Sequence, residues 1–132
     1  MANRSDEMAR RFLAKAEHDL ITARQTLLLV DGPTDTVCFH AQQAAEKALK
    51  GLLTFFQVTF PKTHDLVRLL DISLPHFPEL TQYREELAAL SEFAVEIRYP
   101  DDWFEPSRDD AIRALSFAEE VVARIRNKTF PC

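Results

Sequence analysis

Fifteen consecutive residues, Phe39 to Leu53, contain no proline and a single glycine, and nearly all of them are good helix formers. A run of this kind specifies a long helix. At about 100° per residue, Val37, Ala41, Ala44, Ala45, Ala48, Leu52 and Phe55 fall on one side. The alanines are small, so a neighbouring helix can approach closely. On the opposite side His40, Gln43, Lys47 and Lys50 gather within an arc of roughly 80°. Side chains three and four residues apart are neighbours on a helix, so these four form a ridge of donors and cations. One face belongs to a core and the other is available to a ligand.

The rest of the chain must supply that core. With 132 residues it is long enough to bury one, as a single domain over residues 5–127. Two glycines in the whole chain, among many Ala, Leu, Glu and Arg residues, favour helices over sheet. The formal net charge of −5 argues against coating nucleic acid through bulk charge, so an anion site has to be a local concentration of cations. No apolar run approaches the roughly 18 residues of a membrane span, and the polar Met1–Glu7 start lacks the apolar stretch of a signal peptide. A cytoplasmic protein is expected. Cys38 and Cys132 lie far apart without metal spacing, and neither implies a zinc site or a disulfide framework.

Caps and breakers divide the chain into helices. Ser5 is placed to cap a first helix to about Val30, with Asp6 and Glu7 at its N-terminal dipole and Phe12, Ala16, Leu20, Ala23 and Leu27 as its buried stripe. Asp31-Gly32-Pro33 stops it. The second helix runs from Thr34 or Asp35 to about Gln57. Thr63 is placed to cap a short third helix from His64 to about Asp71. A fourth carries Leu80, Tyr83, Leu87, Leu90, Ala94 and Ile97 at alternating spacings of three and four, and Arg98-Tyr99-Pro100 ends it. Ser107, followed by Asp109 and Asp110, opens the last helix, whose stripe is Ala111, Ala114, Leu115, Ala118, Val122 and Ile125. These elements predict an all-α, antiparallel up-and-down bundle of four long helices and one short one.

Three segments offer chemistry. The ridge is the first, its plain alternative being a solvated helix face. Lys62-Thr63-His64-Asp65 opens the third helix, where free N–H groups favour anions. Arg98 closes the fourth with a guanidinium suited to bidentate phosphate contact. His40 and His64 are, as plain alternatives, hydrogen-bonded structural residues. No Gly-rich phosphate loop, nucleophile elbow or zinc-protease motif occurs, and neither a metal nor a cofactor is expected. Trp103 and Phe104, in an acidic loop, are either core residues or an exposed patch that contacts another chain.

In His40 to Lys50, then Pro61-Lys62-Thr63-His64-Asp65-Leu66, then Arg98-Tyr99-Pro100-Asp101, the chain resembles the HEPN domains (higher eukaryotes and prokaryotes nucleotide-binding). The three matches occur in the expected order across about residues 10 to 126. The resemblance implies a bundle of four or five helices, usually dimeric, similar to the C-terminal domain of kanamycin nucleotidyltransferase. Many such domains pair with a separate minimal nucleotidyltransferase, and others are metal-independent ribonucleases, often toxins. The ribonuclease branch carries an Arg followed within a few residues by a His in its later helices. Here no His follows Arg98, and the Arg11–His18 pair of the first helix is a coincidence of spacing.

The function expected is a non-catalytic bundle that binds a nucleotide or phosphate through His40, Gln43, Lys47, Lys50, Lys62, His64, Arg98 and Tyr99. It would act as partner subunit of a separate nucleotidyltransferase, as in a toxin–antitoxin-like pair. The alternatives are an endoribonuclease toxin using Arg98 with His40 or His64 as base, and a purely structural helical dimer. A homodimer is expected, with the Ala-rich second helix, Gly51 within it, and the loop at Trp103 and Phe104 as the contact candidates.

Overall fold

The computed structural model describes residues 3–94 and 105–131 and is all-helical over them. In chain order the elements are α1 (Arg4–Leu28), α2 (Thr34–Phe55), α3 (Leu66–Ser73), a 3₁₀ segment (Pro78–Tyr83), α4 (Arg84–Ser91) and α5 (Arg108–Thr129). Helix α2 is the axis of the fold, because α1, α3, α4 and α5 all pack on it. Its buried positions run most of the way round, from Val37 and Ala44 through Ala48, Leu52, Ala41 and Ala45 to Leu49 and Leu53. Only a narrow polar strip escapes.

Helix direction follows from the contacts at the ends. Arg24 meets Glu119 and Glu17 meets Arg126, so α1 and α5 are antiparallel. Thr34 Oγ1 donates to the Pro106 carbonyl at one end of α2, while Phe55 meets the Phe130 ring edge-on at the other, so α2 and α5 run the same way. In the bundle so formed α4 is the return leg and α3 lies antiparallel beside it, Leu66 meeting Ser91 and Asp71 meeting Arg84. Gly51 lets α1 close on α2: a Cβ at that position would lie 3.1 Å from the Phe12 Cβ and 3.4 Å from the Ala9 carbonyl oxygen.

Several boundaries differ from those read in the sequence, each for a local reason. Asn3, not Ser5, caps α1, its Oδ1 accepting from the Asp6 amide at 2.8 Å. The α1 stripe is centred on Ala9, Leu13, Ala16, Leu20 and Ala23, while Phe12 and Leu27 are half-buried. Asp65 rather than Thr63 caps α3 by accepting from the Val67 and Arg68 amides; Thr63 Oγ1 serves the Asp65 amide instead. His64 therefore precedes α3.

The fourth helix is the largest departure. Pro78 has no amide to donate, and the segment opens as a 3₁₀ turn before α4 begins at Arg84 and stops at Ser91. Ala94 lies beyond it, and Ile97 lies outside the described residues. At the far end of α2, Gln57 takes φ 58 and the Val58 amide reaches back to the Leu53 carbonyl at 2.9 Å, closing the helix with a left-handed residue that is not glycine. The last helix starts as its sequence indicates. Ser107 and Asp110 form a capping box.

Candidate functional site

The polar strip of α2 is flanked by α1 on one side and by the segment entering α3 on the other. On the α1 side stands Asp19, a helix-interior carboxylate that is 7% exposed. Two ridge residues share it. His40 Nδ1 lies 2.8 Å from Asp19 Oδ1, and Lys47 Nζ donates to Oδ2. An ionised carboxylate can only accept, so Nδ1 is the protonated nitrogen and Nε2 is on the far edge of the ring. His40 and Lys47 are two turns apart on one row of α2, and that spacing brings both within reach of one acid on α1.

On the other side the acid comes from α2 itself. Glu46 is 4% exposed and takes donors from three directions. Lys50 Nζ reaches Oε2 at 2.9 Å, Gln42 Nε2 reaches Oε1 at 3.2 Å, and His64 Nδ1 sits 2.9 and 3.1 Å from the two oxygens. Burial by itself pushes the Glu46 carboxyl up, but the hydrogen bonds from Lys50, His64 and Gln42 outweigh it and hold the group below the ordinary carboxylate value. Gln42, fully buried, also donates to the His64 carbonyl at 3.2 Å and accepts from Gln43 Nε2 at 2.8 Å. Ser91 at the end of α4 accepts from the Leu66 amide and donates to the His64 carbonyl. Backbone and ring of His64 are both held.

The result is two copies of one chemical unit along the strip: a buried carboxylate bound to one lysine and one imidazole. With both imidazoles neutral, Lys47 and Lys50 offset Asp19 and Glu46, and the strip carries no excess charge. Each lysine of the expected ridge of donors and cations has an internal counterion. The histidines differ in access. The His64 side chain is 68% exposed and that of His40 23%.

Of the other residues read as site candidates, Gln43 lies on the strip between the two units. Lys62 is exposed and enters no ion pair among the described residues. Arg98, Tyr99, Trp103 and Phe104 lie outside the described residues. Gly51 is filled against by α1, so its close approach is to a helix of the same chain. Arg11 and His18 are both exposed on α1.

Asp19, Gln42 and Glu46 were not among the site candidates. Glu46 had a readable signal, the (i, i+4) spacing to Lys50. Asp19 had a weaker one, an acid within a turn of the apolar Ala16, Leu20 and Ala23. Elsewhere, a cleft of about 350 Å³ opens between α4 and α5, lined by Leu90, Phe93, Pro106, Ala114 and Phe117 above Cys38. It is mainly apolar and separate from the strip. Among the described residues no group of three His, Cys, Asp or Glu side chains is placed to hold a metal ion, and no helix is long and apolar enough to cross a membrane.

Comparison with known proteins places the fold. The crystal structure of an archaeal HEPN homologue superposes on the chain with a TM-score of 0.72 at 25% identity, covering 92% of this chain and 97% of that one. No curated protein matches. The family model described as HEPN domain matches residues 9–128, from the second turn of α1 to the last turn of α5. The chain belongs to the HEPN domain family.

Proposed function

We propose that this HEPN bundle is a non-catalytic binding and partner subunit, and that its ligand is a nucleotide or another phosphate-bearing molecule lying along the polar strip of α2. The observation that carries the reading is the pair of imidazoles, each anchored through Nδ1 to a buried carboxylate with Nε2 turned away from it. Anchoring fixes the ring before a ligand arrives, so little freedom is lost on binding. Gln43, Lys47 and Lys50 supply further donors on the strip, and Lys62, two positions before His64, enters no ion pair among the described residues. Calorimetric titration with a nucleoside triphosphate and with inorganic phosphate, on the wild type and on His64→Ala, tests it. Binding that His64→Ala leaves unchanged would count against the strip.

The same dyads favour one second reading, metal-independent RNA cleavage with His40 or His64 as base. A carboxylate-backed imidazole with an accessible Nε2 is a general base in form. An RNA-cleavage assay with His40→Ala and His64→Ala separates the two. The finer proposal, that the partner is a separate nucleotidyltransferase bound near the exposed side of α2 so that a nucleotide lies between the chains, rests on the family resemblance. Co-purification of such an enzyme from co-expression is its test.

A further inference from the structure

The cleft of about 350 Å³ between α4 and α5 is graded from an apolar base to a charged mouth. Cys38 and Leu90 in its lining are buried, Phe93 and Phe117 are half-buried, and Glu86 of α4 and Asp110 of α5 are exposed. Small molecules bind in concave sites of about 300–1,000 Å³ that combine a mostly apolar lining with a few polar groups. The cleft has that make-up and lies at the small end of the range.

The charge around the mouth is mainly of one sign. Over residues 85–94 and 105–113, which bound the cleft, six carboxylates stand against two guanidiniums. One of the two, Arg113, approaches Asp110 only to 3.6 Å and is itself mostly in solvent. The Cys38 thiol, raised by burial to about 11, is uncharged at neutral pH and presents an apolar sulfur. Phe93 and Phe117 contribute aromatic rings, whose faces attract cations. An anion would meet carboxylates on both walls, and a neutral molecule would leave them unanswered. A cation with an apolar body satisfies mouth and base together.

We propose that the α4–α5 cleft binds a small organic cation, an amine carried on an aromatic or branched aliphatic body. The body lies against Leu90, Phe117 and Cys38, and the ammonium lies at the mouth between Glu86 and Asp110. The site is separate from the strip of α2 and takes a ligand of opposite charge, so it goes beyond the phosphate reading and stands or falls separately.

Calorimetric titration of the whole chain with phenethylamine, with its neutral counterpart phenethyl alcohol and with the anion phenylacetate tests it. The amine should bind about tenfold more tightly than the alcohol, and phenylacetate more weakly than either. Amide chemical shifts should move at Leu90, Ala114 and Phe117 and stay fixed at Gln43 of the strip. Glu86→Gln should weaken amine binding about threefold and leave alcohol binding unchanged. Ala89 is exposed on the lining, so Ala89→Phe should block both ligands without altering the melting temperature. An alcohol that binds as tightly as the amine overturns the proposal. So does an Ala89→Phe protein that still binds the amine. A wild type that binds neither also overturns it, and binding gained only on Trp103→Ala would show that a side chain of this chain fills the cleft instead.

Discussion

Glu46 and His64 are joined across the connection between α2 and α3 by an imidazole Nδ1 that sits 2.9 and 3.1 Å from the two carboxylate oxygens. The acid is buried and the base is two-thirds exposed, so the pair links the interior to the surface. Lys50 and Gln42 complete the carboxylate shell. Breaking it leaves donors or an acceptor without partners where water is excluded, and that asymmetry sets the size of the expected effects.

Glu46→Gln should destabilise the fold by about 1–3 kcal/mol at pH 7, the cost of weakening a buried charge-assisted network. The pH dependence has a definite sign. The folded-state pKa of Glu46 lies below its ordinary value of 4.5, so its contribution is present above that value and is lost as pH falls through the folded pKa. Melting temperature followed from pH 7 to pH 3 should therefore drop less steeply in Glu46→Gln than in the wild type. Parallel acid limbs would show that the carboxylate contributes nothing through ionisation.

Cys38 gives the opposite limb. Burial, with smaller contributions from Asp110 and Asp35, raises its thiol to about 11. The unfolded chain ionises it near 9.0 and the folded chain does not, so the stability it contributes is full below pH 9.0 and is lost between there and about 11. Cys38→Ala should flatten the melting profile over that interval. In a Cys132→Ser background, iodoacetamide should label the native protein slowly at pH 8 and the guanidinium-unfolded protein fast.

Lys47→Glu should weaken binding of a nucleoside triphosphate or phosphate more than Lys15→Glu does. Both variants change the net charge equally, but only the first places a second carboxylate beside Asp19, on the strip. Asp19→Asn, which frees Lys47 from its internal counterion, should strengthen phosphate binding severalfold if the strip is the site. Calorimetric titrations of the three variants check this, and equal affinities for Lys47→Glu and Lys15→Glu would exclude the strip.

Gly51→Ala sets two terms against each other. Removing glycine from a helix interior gains about 0.5–1 kcal/mol, while a Cβ 3.1 Å from that of Phe12 asks α1 to yield by a few tenths of an ångström. The net change in urea unfolding should stay within about 1 kcal/mol. Gly51→Val has no such balance. Its branches enter α1 directly, and a loss of more than about 2 kcal/mol is expected.

Much of the fold was legible because helix formation is local. The run from Phe39 to Leu53 and the Ser107 cap each act within a few residues and lie where the sequence puts them, whereas α1 stops at Leu28, short of the expected Val30. The ridge of His40, Gln43, Lys47 and Lys50 was legible for the same reason, since helical spacing alone places those side chains on one side. Legibility failed where competing local signals were close in strength. Asn3 and Ser5 can both cap, as can Thr63 and Asp65, and only the hydrogen bonds of the structure show which does. Periodicity over Leu80 to Ile97 reads as one helix, yet Pro78 and the turn at Leu90–Ala94 limit the α-helical part to eight residues.

What only the tertiary structure decided is the electrostatic state of the strip. By itself the sequence shows two lysines and a histidine on a helix face, with a second histidine nine residues beyond that helix. Lys50 pairs with Glu46 of its own helix, but whether Lys47 is free depends on an acid brought by another segment. Asp19 comes from 28 residues away on α1, and His64 from 18 residues beyond Glu46. Helical periodicity fixes which side chains share a face, because that is a property of one backbone. It carries no term for what faces them, because that distance is set by how α1 and the α3 entry pack on α2.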